Sequence, residues 1–249
     1  MEGIRLQKAI AQAGLMSRRA AEESIREGRV VVNGKVVTEM GVRVSPERDE
    51  IEVDRKRIFL REAKAYFLLY KPRGCVTTAI DPRGRKTVLD FLPEREVRVF
   101  PVGRLDYDAE GLLILTNDGM LAHRLQHPRY GIAKVYEVKV KGHPGDEALK
   151  RLRTGVILEE GRTAPAEVET IRRAQDNTWL RIVLHQGWNR QIKRMGDAVG
   201  HPVLKIKRSG YGPLRLGGLK PGEFRPLVAR EVELLHKMVN LEESRERRS

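Results

Sequence analysis

Three separated segments of this 249-residue chain carry side chains that could work together as a reactive site. The first, GRLDYDAEGLLILTNDG at 103–119, sets Asp106 between Leu105 and Tyr107, with Arg104 beside it and Asp108 and Glu110 following. A carboxylate in a partly dry site, kept charged by a neighbouring cation, can act as a nucleophile or stabilise a positive centre. With a second acid such as Asp108 or Glu110 to activate water, the same group could serve a hydrolase. In the second segment, KVYEVKVK at 134–141, alternation turns Tyr136, Val138 and Val140 to one face and Glu137, Lys139 and Lys141 to the other. Tyr136 is the inward one. The third, QGWNRQIKRM at 186–195, predicts a helix capped by Asn189, with Ile192, Met195 and Val199 at core spacing. Arg190, Lys193, Arg194 and Asp197 then share its other face. Taken bare, an Asp in a glycine-bounded loop is ordinarily a turn former, an inward Tyr a core residue and a basic helix face a solvated one.

Read together, the three strings resemble the RsuA/RluB-like family of ribosomal RNA pseudouridine synthases. The Gly-Arg-Leu-Asp, Glu-Gly, leucine-rich strand and Thr-Asn-Asp-Gly series carries most of the likeness. The Lys-x-Tyr segment and the Asn-Arg-Gln-Ile-Lys-Arg-Met string add to it. The resemblance implies that Asp106 is the catalytic residue and that Tyr136 packs against the target base and assists proton removal. It implies that Lys193 pairs with the carboxylate, Arg194 being the adjacent alternative. Arg104, Arg190, Arg194 and Ile206 would hold the substrate, Ile206 as an apolar wall on a strand read from Val203 to Arg208. Lys71-Pro72-Arg73-Gly74 and the loop from Asp81 to Lys86 match the family's entry into its catalytic domain. Three positions depart from the pattern: Ala109 replaces a common Thr, Gln186 a usual Glu, and Trp188 fills a variable place. A Lys at 193 would pair through a point charge and not a planar fork. The reaction implied is an isomerisation that needs no cofactor and no metal. The likeness is closer to the branch acting on large-subunit RNA, with the small-subunit branch open.

Elements that must position these residues follow from the periodicity. Leu6, Ala9, Ile10 and Ala13 recur at helical spacing up to Gly14. Ser17 is placed to cap a second helix with Ala20, Ala21, Ser24 and Ile25 along its inner stripe. Asn33-Gly34 between Val30–Val32 and Val36–Val37 is a hairpin signal, and a short strand from Glu50 to Val53 follows. Residues 1–60 resemble the small alpha-L RNA-binding module, with Arg5, Lys8, Arg18, Arg19, Arg26, Arg29 and Lys35 as its RNA-binding side chains. Arg18 and Arg19 fall in the first turn of the second helix, where free N–H groups favour a phosphate. A linker at 61–64 leads into a catalytic domain at 64–240, and a charged tail at 241–249 lacks apolar anchors. The patterns show α and β elements mixed, and the family resemblance implies an α+β fold, the alpha-L module followed by a synthase domain with a mainly antiparallel mixed sheet.

Charge limits the partners. Lys and Arg number 48 against 34 Asp and Glu, a net charge of +14. The first 60 residues hold 12 basic and 10 acidic groups, so the excess lies in the larger, later part. A polyanion meeting a broad folded surface is expected, nucleic acid being the usual candidate, and the family resemblance implies ribosomal RNA or a ribosomal assembly particle. A noncatalytic RNA-binding assembly factor would use the same surface without Asp106. A single cysteine, Cys75, excludes a disulfide framework and a multi-thiolate metal site. His123 and His127, four apart, have no obvious third ligand. The longest apolar stretches, 66–70 and 112–115, are far short of a membrane span of about 20 residues. MEGIRLQKAI lacks the long uncharged core of a secretory signal. The expectation is a cytoplasmic monomer with no membrane contact.

Overall fold

The structure, a computed structural model, describes residues 3–45, 48–59, 63–93 and 98–240. The tail at 241–249 and the first two linker residues, Arg61 and Glu62, lie outside the described residues. The chain falls into two compact units, one up to Ala65 and one built mainly from Tyr66 onward.

In the first unit, α1 (Leu6–Gln12) and α2 (Arg18–Arg26) pack their inner stripes, Leu6, Ala9, Ile10, Ala21 and Ile25, against Val30, Val44, Ile51 and Val53. Ser17 caps α2, its hydroxyl accepting from the Ala20 N–H at 3.1 Å. The hairpin forms as its turn chemistry requires: Asn33 and Gly34 both take positive φ, 51° and 77°, and Val31 pairs with Val36 across it. The third strand is Ile51–Val53, one residue shorter than expected, because the Glu50 N–H is taken by the Asn33 side chain. Patterning did not reveal a further pairing, Ile4–Arg5 with Arg43–Val44. Arg18, Arg19, Arg26 and Lys35 are exposed, as is Arg5, and Lys8 is half-buried. Arg29 is different. Its guanidinium is held by Asp54 at 2.8 Å and Glu27 at 2.7 Å and donates to the Ser24 hydroxyl, so its charge is already matched within the protein.

The second unit is built on a nine-stranded sheet among the described residues. Its main path runs Glu167–Ala174, Asn177–Leu184, Lys134–Lys141, Val203–Tyr211, Glu110–Thr116, Tyr66–Lys71, Phe224–Pro226. Every neighbouring pair along that path is antiparallel except Val203–Tyr211 with Glu110–Thr116, which is parallel. With helices packed on it, the fold is α+β, as the family likeness implies. Two apolar cores flank the sheet. In one, Tyr136, Val138, Val140, Leu180, Ile182 and Ile206 meet Leu149 and Leu152 of α4 (Asp146–Thr154) and Ile192 and Met195 of α5 (Gln191–Ala198). In the other, Leu68, Tyr70, Leu112, Ile114 and Tyr211 meet Leu121 and Leu125 of α3 (Gly119–Gln126) and Leu235 of α6 (Ala229–Met238). Leu112 to Leu115 are all fully buried, so that strand is covered on both faces and its apolar run is continuous, not alternating. Asp118 caps α3 by accepting from the Met120 and Leu121 N–H groups.

One helix start differs from expectation. Asn189 does not cap α5; Arg190 occupies that place in the left-handed region, with φ 48°, and its side chain makes no cap bond. Instead Gln191 reaches back, and its carbonyl accepts from the Trp188 N–H at 3.0 Å. At the parallel contact, Gly111 has φ +116°, and a Cβ there would run into the Arg208 carbonyl oxygen. Only glycine allows the two strands to approach so closely. Gly111→Ala is therefore expected to destabilise the protein by roughly 2–4 kcal/mol. The check is the midpoint of urea unfolding against the wild type, and an unchanged midpoint would mean that the strands can part there at no cost.

Candidate active site

The loop that carries Asp106 runs from Gly103 to Ala109, between the short strand Phe100–Pro101 and the buried strand Glu110–Thr116. Its backbone is fixed from several directions. Lys71, the last residue of its strand and fully buried, donates from Nζ to the carbonyls of Asp106 at 3.0 Å, Ala109 at 2.7 Å and Pro72 at 3.1 Å. The Thr77 hydroxyl donates to the Leu105 carbonyl at 2.7 Å and accepts from its N–H at 3.2 Å. The Gly74 N–H donates to the Tyr107 carbonyl at 2.8 Å. Burial pushes the Lys71 ammonium below its ordinary pKa, opposed by the negative charges of Asp106 and Asp108. The strand beginning at Tyr66 is legible from its apolar run, but the clamping roles of Lys71 and Thr77 are not. The signal that could have revealed the first is a lysine closing an apolar strand, YFLLYK, where burial demands several acceptors.

Asp106 opens into a cleft lined by Arg104, Tyr136, Leu184, Arg190, Ile192 and Ile206, with Gln186 and Trp188 at its side. Strand alternation turns Tyr136 and Ile206 inward, and both are nearly buried, at 8% and 7% exposure. The three sequence segments thus converge on one cleft. Gln186 accepts from the Ala164 N–H through Oε1 at 3.0 Å, which leaves its Nε2 buried without a partner among the described residues. Leu184 and Gln186 are cleft residues that the spacing arguments did not pick out.

The cations divide differently from expectation. Lys193 Nζ lies 3.9 Å from Asp106 Oδ2, an ion pair, but its hydrogen bonds go to both oxygens of Asp108, at 2.7 and 2.6 Å. That pairing holds the Asp108 carboxyl below the usual carboxylate range. Arg194 does not face Asp106. It forms a two-pronged pair with Glu160, at 2.6 and 2.7 Å, which its planar fork favours and an ammonium could not match. Helical geometry explains the split, since successive residues point about 100° apart. Arg104 and Arg190 are exposed at the cleft mouth. A fixed carboxylate, an adjacent ammonium, an inward tyrosine and apolar walls can together bind a flat polar ring and support charge at a carbon beside it. No helix of the described residues is long and apolar enough to cross a membrane.

Comparison with known proteins identifies the family. Residues 65–198 match the RNA pseudouridylate synthase family, and residues 4–51 match the S4 domain. The chain is 50% identical over 238 residues to the ribosomal large subunit pseudouridine synthase B of Bacillus subtilis strain 168, covering 95% of this chain and 97% of that one. It is 46% identical to an uncharacterized RNA pseudouridine synthase of Aquifex aeolicus strain VF5, covering 97% of each. Among solved structures, a pseudouridylate synthase crystal structure superposes with a TM-score of 0.68 at 31% identity, covering 93% of this chain and 99% of that chain. With a matching synthase segment over more than half its length and an S4 domain before it, the chain belongs to the RsuA/RluB-like family of RNA pseudouridine synthases, which are isomerases.

Proposed function

We propose that the chain converts a specific uridine of large-subunit ribosomal RNA to pseudouridine, as a cytoplasmic monomer, with Asp106 as the reacting carboxylate. The observation that carries this reading is the convergence of Asp106, Tyr136 and Ile206 on one cleft with Lys193 Nζ 3.9 Å from the Asp106 carboxylate. The RNA class is supported by the 50% identical relative named for the large ribosomal subunit. The substrate is the naked RNA or an assembly particle that presents it.

The reaction breaks the N1–C1′ bond, turns the uracil, and joins C5 to C1′. The C5 hydrogen leaves as a proton and N1 gains one, so no atom is added or lost. Asp106 meets C1′ from the clamped loop, either attacking it or stabilising its positive charge. Lys193 offsets the carboxylate's charge and, through Asp108, stays in place as that charge changes. The Tyr136 ring packs against the extruded base and its oxygen takes part in removing the C5 proton. Ile206 and Leu184 keep water from C1′, where it would release free uracil. Arg104 and Arg190 hold the flanking phosphates, while Arg194, committed to Glu160, supports α5. Residues 64–240 form the catalytic domain. Residues 1–60 form the RNA-binding module, in which Arg5, Lys8, Arg18, Arg19, Arg26 and Lys35 meet phosphates, with Arg29 left to Asp54 and Glu27.

Several outcomes are expected. On ribosomal RNA tritiated at uridine C5, Asp106→Asn should bind normally and lose label release by about a thousandfold or more. Retained release would remove Asp106 from the chemistry, and free uracil as product would indicate hydrolysis. Lys193→Ala should lower kcat about a hundredfold with KM changed less than about threefold; a change in KM alone would make it a phosphate contact. Carbon-13 titration of Asp108 should give a midpoint below 3.8 that returns toward 3.8 in Lys193→Met. In sign, the pair's contribution is present above 3.8 and lost as pH falls through the lowered folded value. Arg18→Glu with Arg19→Glu should weaken RNA binding at least about tenfold and flatten its salt dependence, measured by filter binding. An unchanged salt slope would place the phosphates elsewhere.

A further inference from the structure

The alternation that turns Tyr136 and Ile206 into the cleft turns Lys139 and Lys205 to the opposite face of the sheet. There, four residues stand side by side on four neighbouring strands: Arg172 opposite Trp179, Trp179 opposite Lys139, and Lys139 opposite Lys205. The Arg172 guanidinium sits 5.9 Å from the Trp179 ring centre. Neither lysine has a carboxylate partner among the described residues. The next row is neutralised: Arg181 pairs with Glu167 and Glu169 at 3.5 and 3.4 Å, and Lys207 with Glu137 at 3.5 Å. Unmatched positive charge is therefore concentrated around one partly exposed indole. Beside it lies an open groove of about 530 Å³ lined by Glu137, Ile171, Arg172 and Trp179.

We propose that this face is a second RNA-docking surface, with Trp179 stacking on an unpaired base and Arg172, Lys139 and Lys205 holding its flanking phosphates. Cations interleaved with an aromatic ring on an open sheet suit a single-stranded nucleic acid, whose bases stack and whose backbone is anionic. Ile171 and Trp179 alone offer far less apolar area than the roughly 800 Å² per partner of a stable protein interface. The surface faces away from the cleft, so one RNA reaches both only if it is long enough to wrap the sheet edge. This proposal rests on RNA being the substrate, and it specifies where the RNA beyond the target uridine goes.

The test compares full-length large-subunit ribosomal RNA transcript with a short hairpin cut around the modified uridine. Lys139→Glu with Lys205→Glu, both on the outer face, and Trp179→Ala should each weaken transcript binding about tenfold, the range of one stacked base or two phosphate contacts. Hairpin affinity and kcat should stay within about twofold. Trp179→Phe, which keeps a stacking ring, should restore most of the affinity and separates stacking from misfolding. Equal transcript affinity in wild type and the charge-reversed variant overturns the proposal. A defect seen only on protein-containing particles also overturns it, in favour of a protein partner. If the wild type modifies neither RNA, the proposed function itself fails, a result distinct from both.

Discussion

A fully buried ammonium holds the reactive loop in place. Lys71 has three N–H donors and meets three carbonyls, two of them from the loop that carries Asp106. Removing an ammonium from water costs several kcal/mol, and only a complete set of acceptors, with negative charge nearby, offsets that. Any excursion of the loop that broke one of these bonds would expose the full desolvation cost, so the backbone under Asp106 is stiff. The Thr77 hydroxyl applies the same constraint one residue earlier, bonding both the N–H and the carbonyl of Leu105. In the role proposed for Asp106 such fixity matters, because misplacement of a reacting group by about 1 Å costs orders of magnitude in rate.

The charges around that carboxylate are arranged so that each cation has a defined anchor. Lys193 is tied to Asp108 by two short bonds and only leans toward Asp106. The Asp106 carboxylate thereby has positive charge close by while its own oxygens stay open to the cleft. Arg194, one residue along the helix, secures α5 to Glu160, and Ile192 and Met195 pack the helix's other side into the core. The helix is held on both faces, which fixes where Lys193 can reach. The arrangement also weakens Asp108 as a water-activating base, since a carboxylate stabilised in its charged form is a poor proton acceptor.

Much of this was legible in the residues. Helices α1 and α2, the Asn33-Gly34 hairpin and the inward turn of Tyr136 follow from periodicity and turn chemistry alone, because those signals are local. The three reactive segments were found by their strings, and their convergence could be expected only through the family likeness. What patterning missed was long-range or depended on a side chain's choice among several partners. Spacing put Lys193 and Arg194 on one basic face; it did not distinguish which would take Asp108 and which Glu160, since Glu160 arrives from a hairpin more than thirty residues upstream. The start of α5 also escaped: Asn189 has the right chemistry for a cap, but Arg190 takes the cap position in the left-handed region, and Gln191 bonds back to the Trp188 N–H.

The parallel pairing of Glu110–Thr116 with Val203–Tyr211 explains why a site exists here. In a parallel pair the segments that precede the two strands emerge at the same end. Glu110 is paired with Lys207, so the loop before Glu110 runs beside the residues just before Lys207, and Asp106 comes to lie in the same cleft as Ile206. An antiparallel pairing at the same register would have sent that loop toward Ser209 and Tyr211, away from Ile206. Gly111 makes the pairing possible by letting the backbone of Arg208 approach where any side chain would collide. Arg208, nearly buried and donating to the Leu112 carbonyl at 2.7 Å, ties the same two strands again from the side-chain level. A glycine and an arginine remote from the chemistry therefore decide where the carboxylate meets its pocket.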